Sequence, residues 1–331
     1  MDKRRVGSFE ASAIGLGCMS LSQAYGAPPP RAQAERVLRG AIDAGYTFFD
    51  TAAVYGLGHN ERLVGEVLKD HRDEIVLASK CGMTDGETRD LNGTPARIKT
   101  TCEESLKRLG VEVIDLYYLH RLDRNTPIED SVGALADLVK EGKIRSIGLS
   151  EVSAATLRRG HAVHPIAALQ TEYSPWTRNP EIAVLQTCRE LGTAFVAFSP
   201  VGRGFLAGGV RDVGALEPDD FRLGMPRFQG EAFSANLKLL DGFCALAAGA
   251  GCTPAQLCLA WLLQKDEIIV PIPGTANPDH MLENARAAEV RLTAQTMAAV
   301  DALINARTVS GARYSAAMQV PIDTEDAPAA A

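Results

Sequence analysis

The chain has 331 residues, 46% of them apolar and 23% charged, and a formal net charge of -7. That composition supports a large core and excludes general disorder, and the acidic balance argues against nucleic acid as the main partner, because phosphate binding needs clustered Lys and Arg. The length suits one large barrel of alternating strands and helices, or two average domains.

Short apolar runs alternate with longer stretches of helical periodicity. A hairpin over Arg4–Ala11 comes first and would close the bottom of a barrel. Strands are then predicted at Ile14–Gly17, Thr47–Asp50, Ile75–Ser79, Val113–Leu119, Ile144–Leu149, Ile166–Gln170, Ala194–Phe198 and Ile268–Pro271. Helices are predicted at Arg31–Ala44, Glu61–Lys69, Ala96–Leu109, Ile128–Lys140, Ala154–Arg159, Glu181–Leu191, Asn236–Ala248, Pro254–Gln264, Pro278–Ala287 and Ala294–Ile304. Gly45, Gly110, Gly142 and Gly192 stand where left-handed C-caps are wanted, and Thr253-Pro254 and Asn277-Pro278 are helix starts. Eight strand–helix units with mostly short connections predict an α/β fold, a (β/α)8 TIM barrel spanning residues 1–323 as one domain, with 324–331 as a frayed tail. Two long connections, Cys81–Pro95 and Val201–Ala235, follow strands on the face where barrel active sites form.

The seven cysteines, Cys18, Cys81, Cys102, Cys188, Cys244, Cys252 and Cys258, are odd in number and contain no Cys-x-x-Cys pair. They read as reduced thiols of a cytoplasmic protein. Cys18 and Cys81 follow predicted strands, but their first reading is as buried small hydrophobes. The start, Met1-Asp2-Lys3-Arg4-Arg5, leads into no long apolar run, and no stretch approaches the roughly 18 apolar residues of a membrane span, so no membrane partner is expected. His161 and His164 have no nearby Cys or Asp, and no metal is expected.

The predicted strand ends are unusually polar: Asp50, Lys80, His120, Ser150, Gln170 and Ser199. Alone, each has a bland reading, Asp50 as a turn cap, Lys80 as a solvated lysine, His120 as a satisfied core histidine. Together on three adjacent strand ends, with Tyr55 in the intervening loop, they suit proton-coupled hydride transfer. A nearby ammonium favours tyrosinate and lowers the Tyr pKa, so Lys80, held by Asp50, would make Tyr55 a general acid. His120 would direct a ring N–H at a carbonyl oxygen. Gly202-Arg203-Gly204-Phe205-Leu206-Ala207 fits G-x-G-x-x-A, the dinucleotide fingerprint. It sits in the seventh unit of the alternation with no helix pattern after it, and is better read as a phosphate-contacting barrel loop.

In type, order and spacing, Asp50, Tyr55, Lys80 and His120 resemble the catalytic tetrad of the aldo-keto reductases, most closely the bacterial and plant branch. Phe48-Phe49-Asp50-Thr51-Ala52, Asp115 to His120, Gly148-Leu149-Ser150, Gln170 to Ser174, Ser199-Pro200, Gly202 to Leu206, and Ile272-Pro273-Gly274-Thr275 with Glu283-Asn284 carry the resemblance across most of the chain. It implies an oxidoreductase reducing a small-molecule aldehyde or ketone with NADP(H), with NAD(H) left open. By this likeness Tyr173 would stack on the nicotinamide, Ser150 and Gln170 would hydrogen-bond its carboxamide, and Glu151, where Asn is frequent, would bond either to His120 or to the carboxamide. Ser199, Pro200, Val201, Gly202 and Gly204 would wrap the pyrophosphate. Gly274, Thr275, His280, Glu283 and Asn284 would surround the adenosine, and Gly17, Met19 and Asp50 would also touch the cofactor. Gly274 and His280 stand where many members have Lys and Arg, so discrimination for NADPH would fall to His280 and Thr275. Met19, Tyr25, Tyr55, His120 and Trp176, with the loops around Met83–Asn92 and Phe221–Phe233, would line the substrate pocket. A cofactor-binding regulatory subunit and physiological oxidation of an alcohol with NAD(P)⁺ remain as alternatives, and a monomer and a homo-oligomer are both open.

Overall fold

The computed structural model describes residues 1–83 and 90–326. Strands β1 (Lys3–Val6) and β2 (Phe9–Ser12) form an antiparallel hairpin. Eight parallel strands follow: β3 (Leu16–Gly17), β4 (Phe48–Asp50), β5 (Val76–Cys81), β6 (Ile114–Leu119), β7 (Ile144–Ser150), β8 (Ile166–Glu172), β9 (Ala194–Phe198) and β10 (Ile269–Pro271), neighbours in that order. Helices α1 (Arg31–Asp43), α2 (His59–Leu68), α3 (Pro95–Leu109), α4 (Ile128–Lys140), α5 (Ala154–Val163) and α6 (Val184–Leu191) separate β3 to β9. Helices α7 (Gly230–Gly249) and α8 (Pro254–Lys265) precede β10, and α9 (Pro278–Arg286), α10 (Ala294–Leu303) and a short α11 (Ala316–Gln319) follow it.

The sheet closes into the expected barrel. The Gly15 N–H donates to the Pro271 carbonyl at 2.9 Å and the Gly17 N–H to Pro273 at 3.2 Å, and Gly17 pairs with Gly274. The seam is tight enough to demand glycine: a Cβ on Gly17 would lie 2.8 Å from the Ile272 carbonyl oxygen, and one on Gly274 2.9 Å from that of Gly17.

Strand side chains alternate between two compartments. Phe48, Val76, Ala78, Leu116, Tyr118, Ala168, Val196 and Val270 fill the barrel, and Val6 and Ala11 of the hairpin plug its bottom. Phe49, Leu77, Tyr117, Leu149, Leu169 and Phe195 point outward against the helices. The start signals hold: Thr253 and Gln256 form a capping box on α8, and Asn277 accepts from the Asp279 N–H on α9. Differences from expectation lie at element ends. Helix α5 runs on to Val163, and α7 begins at Gly230 rather than Asn236. The helix expected from Glu181 begins at Val184, after a 3-10 turn at Asn179–Glu181, where Arg178 and Tyr173 hold the Glu181 carboxylate. Of the expected tail, residues 327–331 lie outside the described residues, while Thr324 is buried and bonded to Glu151. No single described helix is long and apolar enough to cross a membrane.

Candidate active site

Period-2 alternation sends one residue at each of six strand ends to the barrel mouth. Counting from inward residues of each strand, these are Asp50, Lys80, His120, Ser150, Gln170 and Phe198. Lys80 is buried, and all three of its protons find oxygen. Nζ donates to Asp50 Oδ1, to the Thr51 carbonyl at 2.8 Å and to the Tyr55 hydroxyl at 3.2 Å. Gln170 Nε2 donates to the other Asp50 oxygen at 2.8 Å. The Tyr55 and His120 rings meet edge to face, their centroids 5.8 Å apart. Asp50 and Lys80 are 2% and 1% exposed, Tyr55 and His120 8% and 7%, so the last two carry the open face of the cluster. The structure therefore brings Asp50, Tyr55, Lys80 and His120 together.

Electrostatics follow from burial and from one cation. Burial pulls the Lys80 ammonium down, but Asp50 and Tyr55 overcome it and hold its pKa above the ordinary lysine value. Burial pushes the Tyr55 phenol up, and Lys80 pulls it back only in part. The expected direction of the ammonium's effect is there, yet the net shift is upward because desolvation of the phenolate outweighs it. The Cys18 and Cys81 thiols, both buried, are pushed well up by burial and serve as small hydrophobes.

Other expected residues divide. Arg121 Nη1 donates to the Ser150 hydroxyl at 3.0 Å and to the His120 carbonyl at 2.6 Å, and its guanidinium lies 5.8 Å from the Phe198 ring centre. Met19 and Met83 pack against Ala52, Val54 and Tyr55. Tyr25 packs on Phe221 at 5.1 Å, tying the first loop to the long one after β9. The remaining pocket loop expected around Met83–Asn92 falls largely on residues 84–89, outside the described residues. Backbone φ is positive at Ser199, Gly202, Arg203 and Gly204, winding the segment after β9 into a loop, and the first helical turn comes only at Val213–Ala215. Pro200 is buried and Val201 half-buried in that loop. Asn284 is buried, Thr275 and Glu283 half-buried, His280 exposed. Glu283 also lines a groove of ≈ 410 Å³ with Thr253, Gln256, Asp279, Leu282 and Arg286.

Three expectations meet a different placement. Tyr173 is one residue beyond inward-facing Glu172, so its ring points outward. It lies between Phe195 and Trp261, with its hydroxyl donating to Glu181, away from the mouth. Trp176 stacks on Phe205 at 4.4 Å and meets Phe228 edge-on, 3% exposed, so its ring is consumed by packing. The Glu151 carboxylate turns from the mouth to Arg313, the Thr324 hydroxyl and the Glu172 N–H. Phe198 was missed from the sequence, although Ala194 and Val196 facing inward give its direction.

A nicotinamide cofactor fits the donors present. Ser150 and Gln170 are small polar groups at the mouth. The Ser20 hydroxyl, buried with no hydrogen-bond partner among the described residues, lies 3.4 Å from where a Cβ of Gly274 would be.

A model of the aldo/keto reductase family matches residues 13–305. This chain belongs to the aldo/keto reductase family. The chain is also similar in structure to a glycerol dehydrogenase of Gluconobacter oxydans, with 29% identity, TM-score 0.84, and coverage of 93% of this chain and 96% of that one. An aldo-keto reductase of Bacillus halodurans in its holo form matches at 27% identity and TM-score 0.77, over 92% and 97% of the two chains. A thermostable aldo-keto reductase solved with the inhibitor epalrestat matches at 29% identity and TM-score 0.74, over 92% and 100%. The chain is thus a nicotinamide-dependent oxidoreductase acting on small-molecule carbonyl compounds.

Proposed function

We propose that this aldo-keto reductase reduces an aldehyde or ketone to an alcohol with NADPH, using Tyr55 as general acid. The observation that carries the reading is the 3.2 Å contact of the Tyr55 hydroxyl with Lys80 Nζ at the barrel mouth. The reduced nicotinamide, when bound, supplies the hydride. Tyr55 gives its proton to the carbonyl oxygen, and Lys80 stabilises the phenolate left behind. Asp50 keeps that ammonium charged and in place. His120 directs a ring N–H at the same oxygen and orients the substrate.

Ser150 and Gln170 are the groups suited to a carboxamide, and the flat side chain suited to the nicotinamide face is Phe198 rather than Tyr173. The loop from Ser199 to Gly204 would hold the pyrophosphate, and Gly274, Thr275, His280, Glu283 and Asn284 the adenosine end. Discrimination for the 2′-phosphate rests on Thr275 and an exposed His280, so a modest preference for NADPH over NADH is expected. Met19 and Tyr25 give the substrate rim an apolar character.

The test is a panel of aldehydes and ketones followed by loss of NADPH absorbance, with NADH in parallel. Tyr55→Phe should lower kcat by about 10²–10⁴-fold while leaving the cofactor Kd nearly unchanged. Wild-type turnover in Tyr55→Phe would end the reading. A second reading, oxidation of an alcohol with NAD(P)⁺, draws support from the likeness to a glycerol dehydrogenase. It would run the same residues in reverse, with the Tyr55 phenolate as base.

A further inference from the structure

Asn60 is fully buried in the first turn of α2, on the face that otherwise buries Leu63, Val64 and Val67. A polar side chain there is costly unless it is satisfied. Both donors of its amide are used: Nδ2 gives to the Cys18 carbonyl and to the Ser22 hydroxyl, each at 2.8 Å. Its Oδ1 accepts from the Thr51 hydroxyl at 2.6 Å, and its backbone N–H donates to the Tyr55 carbonyl at 3.3 Å.

The side-chain partners lie in two segments beyond the strand ends, the 3-10 turn after β3 that Cys18 and Ser22 flank and the chain just past β4, where the Thr51 N–H donates to the Ala78 carbonyl at 3.0 Å; the turn carrying Tyr55 is held by the Asn60 backbone. That turn winds through positive φ at Gly56, Leu57 and Gly58, a conformation free to the two glycines and strained at Leu57. Thr51 is the informative partner. Its hydroxyl is held by Asn60, and its carbonyl accepts from Lys80 Nζ. One residue therefore links the Asn60 amide to the ammonium that touches Tyr55.

We propose that the Asn60 amide is a positioning group for carbonyl reduction, fixing Thr51 against the turn after β3 so that the Thr51 carbonyl holds the Lys80 ammonium on the Tyr55 hydroxyl. The proposal rests on the assignment of Tyr55 as general acid. A neutral amide suits the place: a carboxylate has no donor for the Cys18 carbonyl, and an aliphatic side chain strands both that carbonyl and the Thr51 hydroxyl.

The experiment compares Asn60→Ala, Thr51→Val and Thr51→Ser, with thermal melts and cofactor Kd measured on each. Asn60→Ala and Thr51→Val should lower kcat about 10–100-fold and leave KM and cofactor Kd within about threefold, the signature of lost alignment rather than lost binding. Thr51→Ser keeps the hydroxyl and should retain kcat. The pKa of Tyr55, read by ultraviolet difference absorbance against Tyr55→Phe in the same background, should move in Asn60→Ala. That last readout needs no substrate, so it tests Asn60 even if wild-type protein reduces no carbonyl compound, a result that would instead sink the general-acid assignment. An unmoved Tyr55 titration, a kcat loss that matches only the fraction unfolded, or a Thr51→Ser as impaired as Thr51→Val would each overturn the proposal.

Discussion

Tyr55 is pulled two ways, by burial toward the neutral phenol and by Lys80 toward the phenolate, and burial wins. The phenol is then protonated throughout the neutral range, since even an unperturbed tyrosine titrates near ~10. A proton donor is needed for reduction and a proton acceptor for oxidation. Reduction should therefore show a kcat independent of Tyr55 ionisation through neutral pH and fall only on the far alkaline side, while oxidation should climb with pH across the same range. Steady-state kcat in both directions against pH checks this. A reductive limb centred near neutrality would mean that the ammonium, not desolvation, sets the phenol. Asp50, Lys80 and His120 were legible in the sequence because their chemistry is unusual at strand ends, and Tyr55 because it follows Asp50 by five residues in the loop between them. Tyr173 misled because a residue type says nothing of direction, and one step of strand parity turned its ring into the outer layer. Asn60 left a fainter trace, a polar residue in register with Leu63, Val64 and Val67 on the buried stripe of α2.

Elements were legible where period and punctuation agreed, as in α4, whose predicted bounds match the structure, and α8, with its Thr253 cap. They were less so after β9, where Val213–Ala215, Phe221–Gly224 and Pro226–Phe228 are single 3-10 turns held by side chains rather than by repeat. Contacts between helices were not legible at all, and two glycines display why. A Cβ on Gly65 of α2 would sit 2.1 Å from the carbonyl oxygen of Leu109 at the end of α3, a backbone atom that cannot swing away. A Cβ on Gly133 of α4 would meet nothing within 4 Å. Both are helix-interior glycines, so propensity alone favours alanine at each by up to about 1 kcal/mol. Gly65→Ala should instead destabilise by about 1–3 kcal/mol, because α2 and α3 must separate. Gly133→Ala should be neutral or stabilising by up to about 1 kcal/mol. Denaturant unfolding of the two variants decides, and a stabilised Gly65→Ala would show that the pair can slide freely.

The barrel is held at its mouth by the chain's return. Beyond α10 the segment from Arg313 to Glu325 crosses to the ends of β7 and β8. Asp323 and Glu325 accept from the Ser153 and Ala154 N–H groups at the start of α5, acidic residues at the positive end of a helix. Arg313 Nη2 donates to Glu151 at 2.7 Å, its Nε lies 3.6 Å from Glu172, and Glu172 also holds Arg203. The Tyr314 ring centre lies 4.7 Å from the Arg313 guanidinium and 4.9 Å from that of Arg203. Burial alone would raise the Glu172 carboxyl, but Arg203 and Arg313 overcome it and hold it below its ordinary value. A carboxyl depressed on folding adds stability above its unfolded pKa of about 4.3 and loses it as pH falls through the folded value. Glu151 is fully buried, so removing Arg313 leaves its carboxylate with only the Thr324 hydroxyl and the Glu172 N–H. Arg313→Ala should cost about 3–5 kcal/mol, as for other broken buried pairs, and adding Glu151→Gln should recover part of the loss, because a buried amide is cheaper than an unpaired carboxylate. Urea unfolding of wild type, the single variants and the double variant measures the coupling. A loss in Arg313→Ala below about 1 kcal/mol, the range of an exposed pair, would mean that water reaches this network and that the returning chain is not what braces the mouth.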